Sequence, residues 1–142
     1  MKKRSLAGLW NFAIPGAPFE KRKVPGSYPP TGNCLYRTEF SAPETASGRI
    51  LLVFEGICYE GTPSVNGHPL PLMEPYVDYT YDITDLLKPG TNTLEVSLQD
   101  IDAVFGPMTG WCNYSGIVRE VFLREVPAVW VEDVFFHASL EN

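Results

Sequence analysis

The sequence predicts an all-β fold, an antiparallel β-sandwich of the jelly-roll type. Apolar and polar residues alternate with a period of two in many short segments, which is the pattern of half-buried strands. Thirteen prolines and twelve glycines among 142 residues favour frequent turns over long helices. The stretch from Asp78 to Leu98 reads as strand, one-turn helix, tight turn and strand. Short strands with almost no helix build two packed antiparallel layers.

The first half of the chain supplies three strands and one long connection. Trp10 is too large to be left exposed at little cost, so we expect it to anchor the first strand in the core. Residues Ala13–Thr31 carry five prolines and are expected to form a long irregular connection. Asn33–Ser41 alternates again. Arg49–Gly56 is the most apolar segment and is interpreted as a central strand covered on both faces.

A hairpin and a short helical turn are the clearest local signals further along the chain. Asn66-Gly67 is the dipeptide of a type I′ hairpin, because both central residues of that turn need positive φ. Ile83–Leu87 is expected to form one helical turn, with Thr84 as its N-cap. The chain then enters a loop-like stretch, Gln99–Asn113.

Two more strands are predicted after this loop. Ile117–Glu125 alternates and is interpreted as one strand, and Val129–His137 is interpreted as another that follows Pro127. No repeat with a period of 20–50 residues is visible. The chain is therefore expected to hold about nine short strands in all.

The charge pattern argues against nucleic acid as a partner. The formal net charge is -6, and an acidic domain repels a phosphate backbone. The two basic runs, Lys2–Arg4 and Lys21–Lys23, are short and are interpreted as solvated surface charge. Arg119 is expected to pair with an acid such as Glu55 or Glu120, which is a structural role.

No segment is long and apolar enough to predict a membrane span, which needs about 18 or more residues. The basic start Met1–Arg4 is similar to that of a signal peptide, but Trp10 and Pro15 interrupt the apolar region that should follow. The compartment therefore stays open between the bacterial cytoplasm and a periplasmic or secreted location with the signal removed.

No metal and no cofactor are predicted. The three cysteines cannot all pair within one chain and are interpreted as small buried thiols, namely Cys34, Cys58 and Cys112. Neither histidine stands at zinc-like spacing from a cysteine. Asp100 and Asp102 are the calcium candidates, but calcium takes six to eight oxygen ligands, so they are interpreted as solvated loop acids.

Seven blocks of sequence together resemble a known family. They are S-L-A-G-L-W, V-P-G-S-Y, Y-R-T-E-F, R-I-L-L-V-F-E-G, V-N-G-H, Y-D-I-T-D-L-L-K-P-G-T-N-T-L-E-V and Y-S-G-I-V-R-E-V-F-L, in this order from Ser5 to Glu125. They resemble the N-terminal sugar-binding domain of glycoside hydrolase family 2, which includes β-galactosidases, β-glucuronidases and β-mannosidases. The resemblance implies a galactose-binding-domain-like jelly roll.

The resemblance also implies a domain boundary and a missing catalytic part. Residues 1–126 correspond to the jelly-roll sugar-binding domain. Residues 127–142 correspond to a linker and the first strand of a following immunoglobulin-like domain. In the family the chemistry belongs to a downstream TIM barrel with two glutamates, one of which follows an asparagine. No Asn-Glu dipeptide occurs here, so the chain is not expected to be an enzyme on its own.

A loop of this domain reaches the barrel's active site in β-glucuronidase-like members, with a form close to D-x-x-N-Y-x-G-I. The run G-W-C-N-Y-S-G-I from Gly110 to Ile117 matches it at Asn113 and Tyr114 and at the last two positions. Gly110 occupies the place of the aspartate. The resemblance therefore implies sugar contact by Asn113 and Tyr114. Asp102, or the aspartate two residues before it, is the candidate to replace the missing acid.

Two further aromatic residues are sugar-binding candidates. A pyranose has an apolar C–H face and a polar rim, so its site needs an aromatic platform beside fixed hydrogen-bonding groups. Trp111 beside Asn113 fits that need. Tyr76 lies where the family has a Gly-Gly-Tyr run, with Glu74-Pro75 in place of the glycines. For both aromatic residues the alternative is simple packing against the sandwich.

Three hypotheses follow for the function. The first is an accessory domain that packs on a catalytic TIM barrel and lends a loop to a β-glycoside site. The second is a free-standing, lectin-like carbohydrate-binding module. The third is a purely structural module whose exposed apolar surface meets a partner domain or a second copy of the chain.

Overall fold

The computed structural model describes residues 2–43, 48–99 and 114–140. In these ranges the chain forms twelve strands and one 3-10 turn, Thr84–Leu86. The strands are β1 (Lys2–Ser5), β2 (Gly8–Ala13), β3 (Glu20–Val24), β4 (Asn33–Ser41), β5 (Gly48–Phe54), β6 (Ile57–Cys58), β7 (Glu60–Val65), β8 (His68–Pro69), β9 (Tyr79–Asp82), β10 (Thr91–Gln99), β11 (Gly116–Ile117) and β12 (Val121–Pro127).

The strands form two main antiparallel sheets, which confirms the predicted fold class. One sheet has the order β1-β12-β5-β9, and the other has the order β3-β2-β4-β10-β7-β8. The short strands β6 and β11 pair with each other in a separate two-stranded sheet. The result is the all-β, galactose-binding-domain-like jelly-roll sandwich.

The alternation of side chains explains how the core is filled. Tyr36 in β4 and Val96 in β10 are paired and buried. Their neighbours Arg37 and Glu95 point to the opposite face, where Arg37 Nε donates a hydrogen bond of 2.6 Å to the Glu95 carboxylate. β5 lies between two strands of its sheet, and its residues Ile50–Phe54 are all buried. The prediction of a central strand covered on both faces is therefore confirmed.

Trp10 is buried in β2, as predicted, and its Nε1 donates a hydrogen bond of 2.8 Å to the carbonyl of Leu6. The predicted irregular connection is wrong in one part, because it contains β3. β3 pairs with β2, and the Arg22 guanidinium lies 3.4 Å above the centre of the Phe12 ring. A charged, short edge strand of this kind has no apolar alternation to signal it.

The predicted Asn66-Gly67 hairpin joins β7 and β8. Asn66 has φ 51° and Gly67 has φ 83°, as the type I′ turn requires. The Asn66 side-chain amide donates to the carbonyl of Leu86 at 2.8 Å and to Oδ1 of Asn92 at 2.7 Å. Asn92 is fully buried. The hairpin is therefore fastened to both the 3-10 turn and β10.

The one-turn helix exists, but the predicted cap is wrong. Ile83 occupies the N-cap position and makes no side-chain capping bond. The Thr84 N–H donates to Asp82 Oδ1 at 3.0 Å. The Thr84 hydroxyl oxygen accepts a hydrogen bond of 2.9 Å from the backbone N–H of Ile50. The hydroxyl also donates a hydrogen bond of 2.5 Å to Asp82 Oδ1. It therefore does not cap the turn, and its contact with the neighbouring β5 is one that local sequence does not reveal.

The segment predicted as one strand from Ile117 to Glu125 is split into β11 and β12. The expected pairing of Arg119 is also wrong. Among the described residues, Lys3 takes that role, with its Nζ 2.5 Å from the Glu120 carboxylate and 3.9 Å from that of Glu55. The side chain of Arg119 packs against Gly56 instead.

The strand predicted at Val129–His137 is absent from this structure. Residues 131–140 are exposed and have no strand assignment. Alternation alone does not make a strand, because the backbone groups need a partner strand to hydrogen-bond with. Arg49 contacts the first part of the segment, with its guanidinium 5.1 Å from the centre of the Trp130 ring.

Candidate carbohydrate-binding surface

The pairing of β6 with β11 brings together parts of the chain that are far apart in sequence. Tyr59 follows β6 directly, and Tyr114 lies two residues before β11. Ser115, between Tyr114 and β11, exchanges two backbone hydrogen bonds of 2.9 and 2.8 Å with Tyr28. The backbone around Tyr114 is therefore held by β6 on one side and by Tyr28 on the other.

Tyr76 joins this region from a third part of the chain. Its backbone N–H donates a hydrogen bond of 3.2 Å to the carbonyl of Ile57 in β6. Its φ is 62°, in the left-handed region that bulky residues rarely adopt. A residue in such a conformation is held there by its surroundings, and these positions concentrate at functional sites.

The three rings form one contiguous group, which we call the tyrosine cluster: Tyr59, Tyr76 and Tyr114. The ring centres of Tyr59 and Tyr76 are 6.5 Å apart with an interplanar angle of 80°, and those of Tyr76 and Tyr114 are 6.3 Å apart with an angle of 62°. Both pairs have the edge-to-face geometry that aromatic rings favour. Tyr76 is 54% exposed and Tyr114 is 43% exposed, so the cluster presents aromatic surface to solvent.

A buried thiol lies beneath the cluster. The Cys58 S–H donates a hydrogen bond of 3.0 Å to the carbonyl of Tyr114. The Cys58 Sγ is also 3.2 Å from the Tyr76 hydroxyl. Partial burial is the main cause that raises the pKa of Tyr76 above its usual value, and the hydrogen bonds with Cys58 and Tyr114 raise this pKa further. Its hydroxyl therefore stays protonated at neutral pH.

This arrangement is suited to binding a sugar. Exposed tyrosine faces contact the apolar C–H face of a sugar, and their hydroxyls hydrogen-bond with its rim. The cluster is thus a candidate carbohydrate-binding surface.

Two of the five sugar-binding candidates from the sequence, Tyr76 and Tyr114, are in contact here. The other three, Asp102, Trp111 and Asn113, lie outside the described residues, and so does the calcium candidate Asp100. Sequence reasoning missed two members of the site, Tyr59 and Cys58. The only sequence signal for them is an aromatic residue directly after a cysteine at the end of an apolar segment.

A groove lies on the face of the six-stranded sheet that points away from the core. It has a volume of about 480 Å³, with apolar walls from Ile14, Pro15 and Leu72, and with the polar residues Glu60 and Gln99 among its lining. Its lining includes no aromatic residue among those described. The groove therefore lacks the aromatic platform for a sugar ring, and the tyrosine cluster is the better candidate for a sugar site.

The described residues contain neither a metal site nor a membrane-spanning helix. Across 2–43, 48–99 and 114–140, no group of three or more histidine, cysteine, aspartate or glutamate side chains is placed to hold a metal ion. No helix in that part of the chain has the length and apolar character to cross a membrane.

Comparison with solved structures shows that this chain has the fold of domains found in glycosidases. β-D-glucuronidase from Dictyoglomus thermophilum matches with a TM-score of 0.81 at 18% identity, covering 99% of this chain and 31% of that one. β-Glucuronidase from Bifidobacterium dentium, complexed with coumarin-3-O-glucuronide, matches with 0.77 at 20% identity, covering 89% and 30%. β-D-Mannosidase from D. thermophilum matches with 0.75 at 22% identity, covering 87% and 22%. The chain thus spans less than a third of each.

Sequence comparison assigns the family. No curated protein matches the chain. The family profile described as glycosyl hydrolase 2 galactose-binding domain-like matches residues 28–104, which is more than half of the 142 residues. The matched region includes the apolar strand β5, the Asn66-Gly67 hairpin and Tyr76. This chain therefore belongs to the glycosyl hydrolase 2 galactose-binding domain-like family.

Proposed function

We propose that this chain is a non-catalytic accessory domain of a family 2 glycoside hydrolase. It packs on a separate catalytic TIM barrel and presents the tyrosine cluster to a β-glycoside. The observation that carries the proposal is the contact between Tyr76 and Tyr114, two residues selected separately from the sequence, whose half-exposed rings lie 6.3 Å apart.

The catalytic barrel is expected in the remainder of a longer polypeptide. The glucuronidase and mannosidase chains of the same fold are three to five times the length that this chain covers, since it spans 22% to 31% of each. A retaining glycosidase needs two carboxyl groups about 5 Å apart in a cleft. The family resemblance supports glutamates of the barrel in that role.

The segment of residues 100–113 belongs to the same proposal. It connects the end of β10 to Tyr114, a member of the tyrosine cluster. Its candidates Asp102, Trp111 and Asn113 would add an acid, a ring and an amide to the phenols. That combination meets the needs of a polar sugar rim and an apolar sugar face.

The C-terminal segment supports contact with a further domain. We propose that residues 1–126 are the sugar-binding domain and that 127–142 are a linker and the first strand of a following immunoglobulin-like domain. Val129, Phe135 and Phe136 are largely exposed. Apolar side chains in an unpaired segment are stabilised when a partner sheet supplies both backbone hydrogen bonds and a cover.

Titration of the 142-residue chain with phenyl β-glucuronide, β-galactoside and β-mannoside tests the carbohydrate contact. We expect millimolar binding of at least one glycoside, detected by NMR of the tyrosine rings. Tyr76→Ala and Tyr114→Ala should each weaken binding about fivefold, because one aromatic contact contributes about 1 kcal/mol.

Phe19→Ala is the matched control, because Phe19 is an exposed ring (49%) outside the cluster. Its dissociation constant should equal that of the wild type. Absence of binding to all three glycosides, or wild-type affinity in both tyrosine variants, would refute the carbohydrate role.

A free-standing, lectin-like module is the alternative, and the exposure of Tyr76 and Tyr114 favours it. Affinity separates the two functions. A module that acts alone needs a dissociation constant well below millimolar. An accessory domain shares its ligand with the barrel and should bind more weakly when alone. Neither should hydrolyse an aryl glycoside through its own carboxylates.

A further inference from the structure

We propose that Cys58 is the positioning residue of the tyrosine cluster: its thiol links the Tyr76 hydroxyl to the Tyr114 backbone and so places the two tyrosines side by side, in the arrangement that a pyranose meets. This inference rests on the proposed carbohydrate role of the cluster. It gives a role in the site to a residue that the sequence indicates only as a buried thiol.

The direction of the hydrogen bonds follows from the chemistry of the three groups. A carbonyl oxygen only accepts, so the single S–H hydrogen of Cys58 is donated to Tyr114, at 3.0 Å. The contact between Cys58 Sγ and the Tyr76 hydroxyl, at 3.2 Å, must then use the phenol hydrogen. The two bonds form a directed chain from the Tyr76 hydroxyl through sulfur to the backbone of Tyr114.

The position of Cys58 makes it a fixed point. Cys58 is 3% exposed, and its backbone pairs with that of Gly116, where β6 lies beside β11. The two tyrosines it contacts are half-exposed. A buried anchor that restrains exposed side chains lowers the conformational entropy that ligand binding would otherwise remove, which increases affinity through preorganisation.

The second buried cysteine lies in the main core, away from the tyrosine cluster. Cys34 is buried in β4 and belongs to the main hydrophobic cluster between the sheets. Cys58 does not belong to that cluster, although it is as well buried. Cys34→Ala is therefore a matched control for the loss of a buried thiol.

The test compares Cys58→Ala, Cys58→Ser and Cys34→Ala in the full 142-residue chain. Three quantities are measured by NMR: nuclear Overhauser effects between the Tyr76 and Tyr114 rings, the pKa of Tyr76, and the dissociation constant of the phenyl glycoside that the wild type binds best. The first two report on the geometry of the cluster even without a ligand.

Cys58→Ala should lose the ring-to-ring effects, lower the pKa of Tyr76 towards its usual value and weaken binding about fivefold. Cys58→Ser keeps a donor and an acceptor, so it should retain the ring contacts and bind within about twofold of the wild type. Cys34→Ala should lower the melting temperature and leave all three quantities unchanged. If Cys58→Ala does not fold, Cys58→Val, which fills the space without a hydrogen-bonding group, takes its place.

Wild-type ring contacts and wild-type affinity in Cys58→Ala, or in the valine variant, would overturn the inference. A wild-type chain that binds no glycoside would instead refute the proposed function. In that case the ring contacts and the pKa of Tyr76 still decide whether the thiol orders the cluster.

Discussion

At the residue scale, two buried phenols make the stability of the sandwich sensitive to alkali. Burial raises the pKa of Tyr36 and of Tyr81 to about 12, compared with a usual value of about 10. Between these pH values the unfolded chain releases protons that the folded chain keeps. The contribution of each phenol to the free energy of unfolding is therefore complete below about pH 10 and is lost as the pH rises towards 12.

Tyr81→Phe tests this dependence. The Tyr81 hydroxyl donates a hydrogen bond of 2.8 Å to the carbonyl of Pro71, so its removal should cost about 1 kcal/mol of unfolding free energy at pH 7. Above pH 10 the variant should lose stability less steeply than the wild type, since it has one fewer phenol to ionise. Urea unfolding at pH 7, 10 and 11 measures both effects. If the free energies of unfolding of the two proteins fell equally steeply above pH 10, the raised pKa of Tyr81 would be contradicted.

At the element scale, β11 depends on a glycine that no other residue replaces easily. Gly116 has φ 133°, and a Cβ at this position would lie 2.7 Å from the carbonyl oxygen of Gly26. The same glycine pairs with Cys58. The approach of two backbones here is what carries Tyr114 to the tyrosine cluster.

Gly116→Ala should therefore destabilise the fold more than Gly67→Ala in the hairpin. Gly67 also has positive φ, but a Cβ there would meet no atom within 4 Å. We expect a cost of about 1 kcal/mol for Gly67→Ala from the left-handed conformation alone. For Gly116→Ala we expect about 3 kcal/mol, since overpacking adds to the backbone term. Urea unfolding compares the two, and equal costs would show that the close approach to Gly26 is unimportant.

At the scale of the whole molecule, apolar surface remains that the two sheets do not cover. Phe135 is 83% exposed and Phe136 is 91% exposed, in a segment without strand structure. Side chains of this kind usually meet a partner. When the chain is alone in solution, a second copy is the partner that can cover these two phenylalanine side chains. We therefore expect weak self-association.

The double variant Phe135→Ser and Phe136→Ser should abolish this self-association. The mass of the wild type by light scattering should rise with protein concentration, whereas that of the variant should stay at the monomer value. Its free energy of unfolding should be within about 0.5 kcal/mol of the wild type, because exposed side chains contribute little to folding. The exposed pair Lys21→Ser and Lys23→Ser, on β3, is the control. If the mass of the phenylalanine variant rose with protein concentration as that of the wild type does, the self-association would not depend on Phe135 and Phe136.

The site was only partly predictable, for a reason that its own residues illustrate. Tyr76 and Tyr114 were selected from the family resemblance, whereas their contact depends on the pairing of β6 with β11. Cys58 was expected to be a buried thiol, and it is buried. Its hydrogen bonds to two residues distant in sequence have no local signature.

The sequence by itself determined the strands whose two faces differ, such as Asn33–Ser41, and the Asn66-Gly67 hairpin, because alternation and positive φ are properties of neighbouring residues. Only the tertiary structure decided that Lys3 contacts Glu55, that Glu20–Val24 is a strand and that Val129–His137 pairs with no strand of this sandwich. It also decided that three tyrosines meet above one thiol. Each of these depends on which backbone lies alongside another, and strand pairing between distant segments is settled by the whole fold rather than by any one stretch of it.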